Sequence, residues 1–215
     1  MRSFKLVLAV SSALTASFIF ASAQVQAADL VFNGGFEQPA LSSGTYSLTP
    51  SIPGWSLGAD SVGASIEVQN NVAGAAYEGS QFVELNSTAP TSIYQDLNTV
   101  AGQNYNVSFA YSPRPGVLDN TLHFTWDGQL TDTLTSSGVG NTDTVWTVHN
   151  YTLTASSSST RLKFDDLGDP NNSVGTYLDK VQVTPATPEP CSIALLAAGT
   201  LSGIGFLARR KRATK

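Results

Sequence analysis

Cysteine is almost absent from this 215-residue chain; the single one, Cys191, lies close to the C-terminus. No disulfide can staple the segment before it, so its stability must come from a buried core, with a metal as the one further aid. Basic residues are nearly as scarce. Of eleven Lys and Arg, Arg2 and Lys5 open the chain and five fall in the last seven residues. Only Arg114, Arg161, Lys163 and Lys180 remain in between, against sixteen Asp and Glu from Asp29 to Glu189, a balance of −12. A nucleic-acid partner would need a basic stripe, and this charge pattern excludes one. The acidity suits cations, neutral sugars or plain solubility. Helical periodicity and internal repeats are missing from residues 28–183, as are HExxH spacing and a nucleophile motif.

What is present begins with two terminal signals. Arg2 and Lys5 precede an apolar stretch from Leu6 to Phe20, and small residues follow at Ala21, Ala23, Ala27 and Ala28. This is the three-part pattern of a secretory signal, read by signal peptidase, with the mature chain starting near Ala28 or, alternatively, after Ala23. An uncleaved N-terminal anchor is the other reading, but the stretch is short for one. At the other end stand Pro188-Glu189-Pro190, an apolar segment from Cys191 to Ala208, and the basic cluster Arg209-Arg210-Lys211-Arg212. Such a segment is at the short end for a membrane helix, where ~20 residues are typical, and the cluster would hold the tail in the cytoplasm.

These three elements in this order resemble the PEP-CTERM sorting signal. The resemblance implies processing by the membrane protease-transpeptidase exosortase of Gram-negative bacteria that make exopolysaccharide. The chain would be anchored transiently in the inner membrane, then released to the cell surface or matrix. A permanent single-pass anchor is the alternative.

The remaining segment, 28–183, is one domain's worth of chain, rich in Ser, Thr, Asn and Gly. Period-2 alternation recurs: Tyr105, Val107, Phe109 and Tyr111 oppose Asn106, Ser108 and Ala110; Leu122, Phe124 and Trp126 oppose Thr121, His123 and Thr125. Tyr151 and Leu153 alternate with Asn150, Thr152 and Thr154, and Leu162 and Phe164 flank Lys163. Further strands are expected at Leu30–Asn33, Ser65–Gln69, Phe82–Leu85, Ser92–Leu97 and Tyr177–Val183. Turn signals at Pro53-Gly54, Asp127-Gly128, Pro113 to Gly116 and Gly168-Asp169-Pro170 separate them. Nine or ten antiparallel strands in two sheets, an all-β jelly-roll sandwich, is the predicted fold. Thr184 to Pro190, with three prolines, is expected to be a stiff linker toward the membrane (segment 184–190), ahead of segments 191–208 and 209–215.

Several motifs follow one another along this domain. They are Asn33-Gly34-Gly35-Phe36-Glu37, Ile52-Pro53-Gly54-Trp55, Glu78-Gly79-Ser80-Gln81-Phe82-Val83-Glu84-Leu85, Ile93-Tyr94-Gln95, Ala101-Gly102-Gln103-Asn104-Tyr105 and Tyr177-Leu178-Asp179-Lys180-Val181. Their order resembles the galactose-binding-like jelly rolls of a domain of unknown function shared by plant cell-wall proteins and PEP-CTERM proteins. More distantly it is similar to family 4/9 carbohydrate-binding modules. The resemblance implies the fold and, more weakly, glycan binding, since a jelly roll hosts many functions.

Asp179 is the most informative single residue. Strict alternation places its carboxylate with Tyr177, Val181 and Val183 on the apolar face, where a bare charge is costly. In the carbohydrate-binding relatives, the first and last strands jointly hold a structural calcium. The resemblance maps that site onto Glu37 and Asp179, with Asn33 as a backbone ligand. The other reading is a carboxylate capping backbone amides with no metal. Among the aromatic candidates for a sugar platform, Trp126 and Tyr111 continue buried faces, which leaves Tyr77 and Tyr94 as the more exposed ones. Asp165-Asp166 places one carboxylate on each face of a strand, and His123 and His149 stand alone, so no catalytic site is expected. The functional expectation is a non-catalytic surface protein that binds polysaccharide. A purely structural or adhesive coat protein is the alternative, and a glycan hydrolase is a third class.

Overall fold

The computed structural model describes residues 27–61, 64–169 and 171–186. The expectations placed on residues 1–26 and 187–215, the export signal, the Pro188-Glu189-Pro190 motif, the apolar span and the basic cluster, lie outside the described residues. Among the described residues no helix is long and apolar enough to cross a membrane.

Twelve strands form two six-stranded sheets, every pairing antiparallel. They are β1 (Thr45–Thr49), β2 (Ser51–Ile52), β3 (Trp55–Leu57), β4 (Ile66–Asn70), β5 (Phe82–Glu84) and β6 (Ser92–Asn98), followed by β7 (Asn104–Ser112), β8 (Asn120–Trp126), β9 (Gln129–Ser136), β10 (Thr147–Thr154), β11 (Ser159–Asp166) and β12 (Tyr177–Pro185). The first sheet has the order β1-β4-β5-β12-β7-β10 and the second β2-β3-β6-β11-β8-β9. From β5 onward, every connection except the β8–β9 hairpin crosses from one sheet to the other. Each crossing lays an alternating strand against the same core, which is how a chain this polar closes a sandwich.

The expected faces hold for β7, β8 and β11. Tyr105, Val107, Phe109 and Tyr111 are buried in the core, as are Leu122, Phe124 and Trp126, and Leu162 and Phe164. Phe109, Phe124 and Phe164 form its aromatic centre, with ring centroids 4.9 to 5.5 Å apart. Trp55 closes the core at one end, 5.4 Å from Phe36 and 6.2 Å from Phe164, its indole N–H donating to the Asn33 carbonyl. At Asp127 and Gly128 both φ angles are positive, 55° and 75°, the turn that matches the twist of the β8–β9 hairpin.

Four expectations need correction. Leu30–Asn33 is not a strand: its tie to the last strand is one backbone bond, from Leu30 N to Val183 O, beside Asp29, which accepts from Val31 N and Val183 N. β12 continues to Pro185 and so takes up the first two residues expected in the linker; a proline is tolerated where the strand ends. β1, β2, β3 and β9 are additional strands, so the sandwich has twelve where nine or ten were expected. β2 and β3 are too short to show a period, and β1 and β9 are sheet edges whose Tyr46, Leu48 and Leu130 point to solvent while Leu134 alone packs against the core, so none carries the sustained buried alternation that marks a strand in a sequence.

The fourth correction concerns the last strand. Asp179 pairs with Ala110, but three residues on, Gln182 pairs with Ser108, so one extra residue is inserted. Lys180 absorbs it with φ 48°, and the bulge reverses the faces. Leu178, Val181 and Val183 therefore face the core, whereas Tyr177 and Asp179 face outward. Asp179 is buried, as expected, but on the opposite side from Val181. It lies beneath the connection between β4 and β5.

Candidate functional site

The outer face of the first sheet divides into three zones. At one end Glu84, Gln69, Arg114 and Tyr177 form a closed polar network. The Glu84 carboxylate has no exposure and pairs with the Arg114 guanidinium, and it accepts from Gln69 Nε2 and from Gly175 N at 2.9 Å. Burial pushes its carboxyl up to about 7, against the pull of Arg114. Phe82 packs at a tilt against Tyr177, ring centroids 4.7 Å apart, and meets Trp146 edge-on at 5.7 Å, sealing this zone from solvent.

The middle zone is the 77–81 loop and its anchors. Asp179 Oδ2 accepts from Tyr77 N at 2.8 Å and Glu78 N at 3.0 Å, and Oδ1 accepts from Lys180 N at 2.6 Å. Glu37 Oε1 accepts from Ser80 N at 2.7 Å and Gln81 N at 3.0 Å. Burial nevertheless pushes the Asp179 carboxyl up to about 7. Gly79, with φ +67°, leaves room for this approach, since a Cβ there would come within 2.2 Å of Glu37 Oε1. Gly34 does the same beside the bulge: its Cβ position lies 1.9 Å from Val181 O, and Gly34 O accepts from Val181 N.

These contacts decide how well the residues fit a calcium ion. The oxygens that would serve are already hydrogen-bond acceptors: both Asp179 oxygens, Glu37 Oε1, and Asn33 O, which takes Phe36 N and the Trp55 indole. Backbone N–H groups thus take up part of the acceptor capacity that a calcium ion would use, and the contacts of Asp179 match its other reading, a carboxylate that caps backbone amides. The motifs beginning at Asn33, Ile52, Glu78 and Tyr177 thus meet at one place, where they tie the loops to the bulged strand.

The third zone is an open groove of about 380 Å³ across β12, β7 and β10. Residues paired across antiparallel strands share a face, so register alone builds its floor. Gln182, Ser108 and Asn150 form one row, and Thr184, Asn106 and Thr152 the next. Successive rows stand ~7 Å apart along the strands. Thr152 donates to Asn106 Oδ1 at 3.1 Å, while the side chains of Ser108, Asn150, Gln182 and Thr184 have no hydrogen-bond partner among the described residues. Three amides and three hydroxyls therefore point at solvent with most of their donors and acceptors free, and no Asp, Glu, His, Lys or Arg lies between them. Sequence reasoning missed these residues as a site. Alternation had already set Asn106, Ser108, Asn150 and Thr152 opposite the buried face, but their meeting with Gln182 and Thr184 depends on the strand order and the bulge.

The two aromatic candidates lie on opposite faces of the sandwich. Tyr77, 41% exposed, stands at the middle zone, edge-on to Trp146 at 6.3 Å with Lys180 Nζ 5.5 Å from its ring centre. Trp146 donates to Ala75 O at 2.9 Å, so it holds the loop that carries Tyr77. Tyr94 is on the outer face of the second sheet. The Arg161 guanidinium lies 3.8 Å over its ring and is held by Asp96 in two 2.7 Å bonds, which covers one face. Asp165 pairs with Lys163 on that surface, while Asp166 turns inward to Thr176 and Gly168 N, one carboxylate per face. His149 stacks on Phe109 at 5.7 Å, and burial lowers its pKa.

Several known proteins are similar to this chain in sequence or in structure. Two curated relatives share sequence with the chain, the multifunctional-autoprocessing repeats-in-toxin proteins of Vibrio cholerae serotype O1 (strain ATCC 39315 / El Tor Inaba N16961) and Vibrio vulnificus. They are 30% identical over 168 residues and 31% over 164, in each case 74% of this chain and 3% of the toxin. The chain thus spans a small fraction of the relatives it matches. Similar solved structures include a family 35 carbohydrate-binding module from Clostridium thermocellum, with 14% identity over 66% of this chain and 99% of that one, at a TM-score of 0.43. A family 61 module, TmCBM61, solved with β-1,4-galactotriose, has 14% identity over 74% and 99% at 0.43. The C-terminal family 22 module of Clostridium thermocellum Xyn10B has 19% over 68% and 97% at 0.48. A family model described as a protein of unknown function, DUF642, matches residues 29–184, and the chain belongs to that family.

Proposed function

We propose that this domain is a non-catalytic glycan-binding module exported to the cell surface, and that the groove across β12, β7 and β10 is its sugar site. The observation that carries this reading is the double row of unpartnered amides and hydroxyls on a rigid three-stranded floor. Sugar hydroxyls both donate and accept, and side-chain amides and hydroxyls answer both roles. The groove volume is at the low end of small-molecule sites, ~300–1,000 Å³, enough for a short stretch of polymer. Its lining holds no carboxylate, which supports binding over hydrolysis. Tyr77, raised at the neighbouring loop, offers a ring against which an adjoining sugar can lie.

Two losses of about 1 kcal/mol each, the usual net worth of a hydrogen bond, make the joint Asn150→Ala/Gln182→Ala change worth ~30-fold in affinity. Titration of the purified full chain against a polysaccharide panel measures this. Binding that the double variant leaves untouched would remove the groove from the proposal. The export part of the proposal rests on the two terminal signals, with release from the inner membrane by exosortase. Mass spectrometry of the surface fraction tests it: the mature protein should lack Arg209–Lys215, and recovery of that tail intact means a plain anchor.

A further inference from the structure

Every cationic side chain among the described residues is already engaged. Arg114 pairs with Glu84, Arg161 with Asp96, Lys163 with both Asp60 and Asp165, and Lys180 with Glu78. Lys163 Nζ bridges its two carboxylates at 2.8 and 2.5 Å, and Lys180 meets Glu78 at 2.5 Å. Fifteen Asp and Glu stand against these four cations between residues 27 and 186, so the described surface is strongly acidic. No Lys, Arg, His, Asp or Glu lines the groove, whose solvent-facing side chains are neutral amides and hydroxyls.

From this we infer that the groove selects uncharged polysaccharides and rejects uronate-bearing or sulfated ones. This rests on the glycan reading above and adds the ligand class. A carboxylate or sulfate on a bound sugar needs a cation or a cluster of backbone N–H groups to replace its water. The groove floor is the flank of three paired strands, whose central N–H groups are spent in the β7–β12 and β7–β10 ladders. The nearest cation along β12 is Lys180, which is turned to Glu78 and to the Tyr77 ring. A negative polymer in the groove therefore finds no free cation to compensate its charge, on a described surface that carries fifteen carboxylates against four paired cations. A neutral glucan, mannan or galactan loses only its hydration at hydroxyl groups, which Asn150, Gln182, Asn106 and Ser108 replace one for one. Selectivity of this kind comes from what the site withholds as much as from what it offers.

The test uses the purified full chain with neutral probes (a β-glucan, a mannan and a galactan) and acidic probes (alginate and polygalacturonate). Each is measured with the parent, Asn150→Trp, which fills the groove from an exposed position on an edge strand, and Gln182→Lys, which installs a free cation in it. A melting curve on each variant confirms that it folds. At least one neutral polymer should lose tenfold or more of its affinity on Asn150→Trp and be insensitive to salt. Acidic polymers should show no groove-dependent binding to the parent, and Gln182→Lys should acquire binding that falls as salt rises. Acidic-polymer binding to the parent that disappears on Asn150→Trp overturns the selectivity while leaving the glycan reading in place. If neither class responds to Asn150→Trp, both the selectivity and the groove as a sugar site are overturned. Retention of acidic polymer that survives Asn150→Trp arises outside the groove and agrees with the inference.

Discussion

Asp179 makes the pH dependence of stability a direct test of how its carboxylate is held. The unfolded chain titrates it at its ordinary value of 3.8, and burial lifts the folded value to about 7. Between the two the native state binds the proton more tightly than the unfolded chain. Stability is therefore greatest below that interval and is lost as pH rises through it. At about 1.4 kcal/mol per pH unit, with the slope fading as the folded carboxyl ionises near 7, the interval from pH 5 to 7 removes about 2 kcal/mol. For a domain of this size that is roughly 4–8 °C of melting temperature. Glu84, lifted from 4.5 to about 7, acts in the same sense. His149, whose pKa burial lowers, acts in the opposite one. Asp60 and Asp96, held below the usual range by Lys163 and Arg161, and Asp143, held there by backbone N–H groups, titrate under this window. All these groups are common to the parent and to Asp179→Asn, so the difference between their curves isolates Asp179. The amide oxygen of the variant can keep Tyr77 N and Glu78 N, but its NH₂ opposes Lys180 N, an unmade buried bond that costs about 1–3 kcal/mol. Asp179→Asn should therefore be less stable than the parent near pH 5 and draw level near pH 8. Differential scanning calorimetry at half-unit steps measures both curves. Parallel curves would refute the reasoning, and the three amide N–H donors would then be shown to outweigh burial.

Two further perturbations test the loop anchors. Excess EDTA, or added Ca²⁺, should leave the melting midpoint unchanged, because backbone N–H groups already bond both Asp179 oxygens and Glu37 Oε1; a midpoint that rises with Ca²⁺ would overturn this assignment. Gly34→Ala would bring a methyl group within 1.9 Å of Val181 O, which forces the loop off the bulged strand. The expected cost is in the 1–3 kcal/mol range of overpacked sites, read as a lower urea midpoint, and an unchanged midpoint would show that the two backbones can part freely.

Much of the fold was legible because one physical signal, burial of alternate residues, is local. Tyr105 to Tyr111, Leu122 to Trp126 and Leu162 to Phe164 announce their inward faces, and Asp127-Gly128 announces its hairpin by the backbone angles it favours. The acidic balance and the lack of basic stripes were likewise matters of composition, and they carry directly into the proposed ligand class. The signal fails where burial is absent or the period breaks. β1 and β9 turn Tyr46, Leu48 and Leu130 to solvent at sheet edges, and the extra residue at Lys180 reverses every face after it. Asp179 could be recognised from the sequence as a buried carboxylate, but its partners lie about a hundred residues away in the 77–78 backbone, and only the folded chain names them. The groove is more fully a product of tertiary structure. Asn106, Asn150 and Gln182 are ordinary solvent-facing residues on three separate strands, and no local pattern relates them. They become a surface because β12 enters between β5 and β7 with its register shifted by one, which sets Gln182 beside Ser108 and Thr184 beside Asn106.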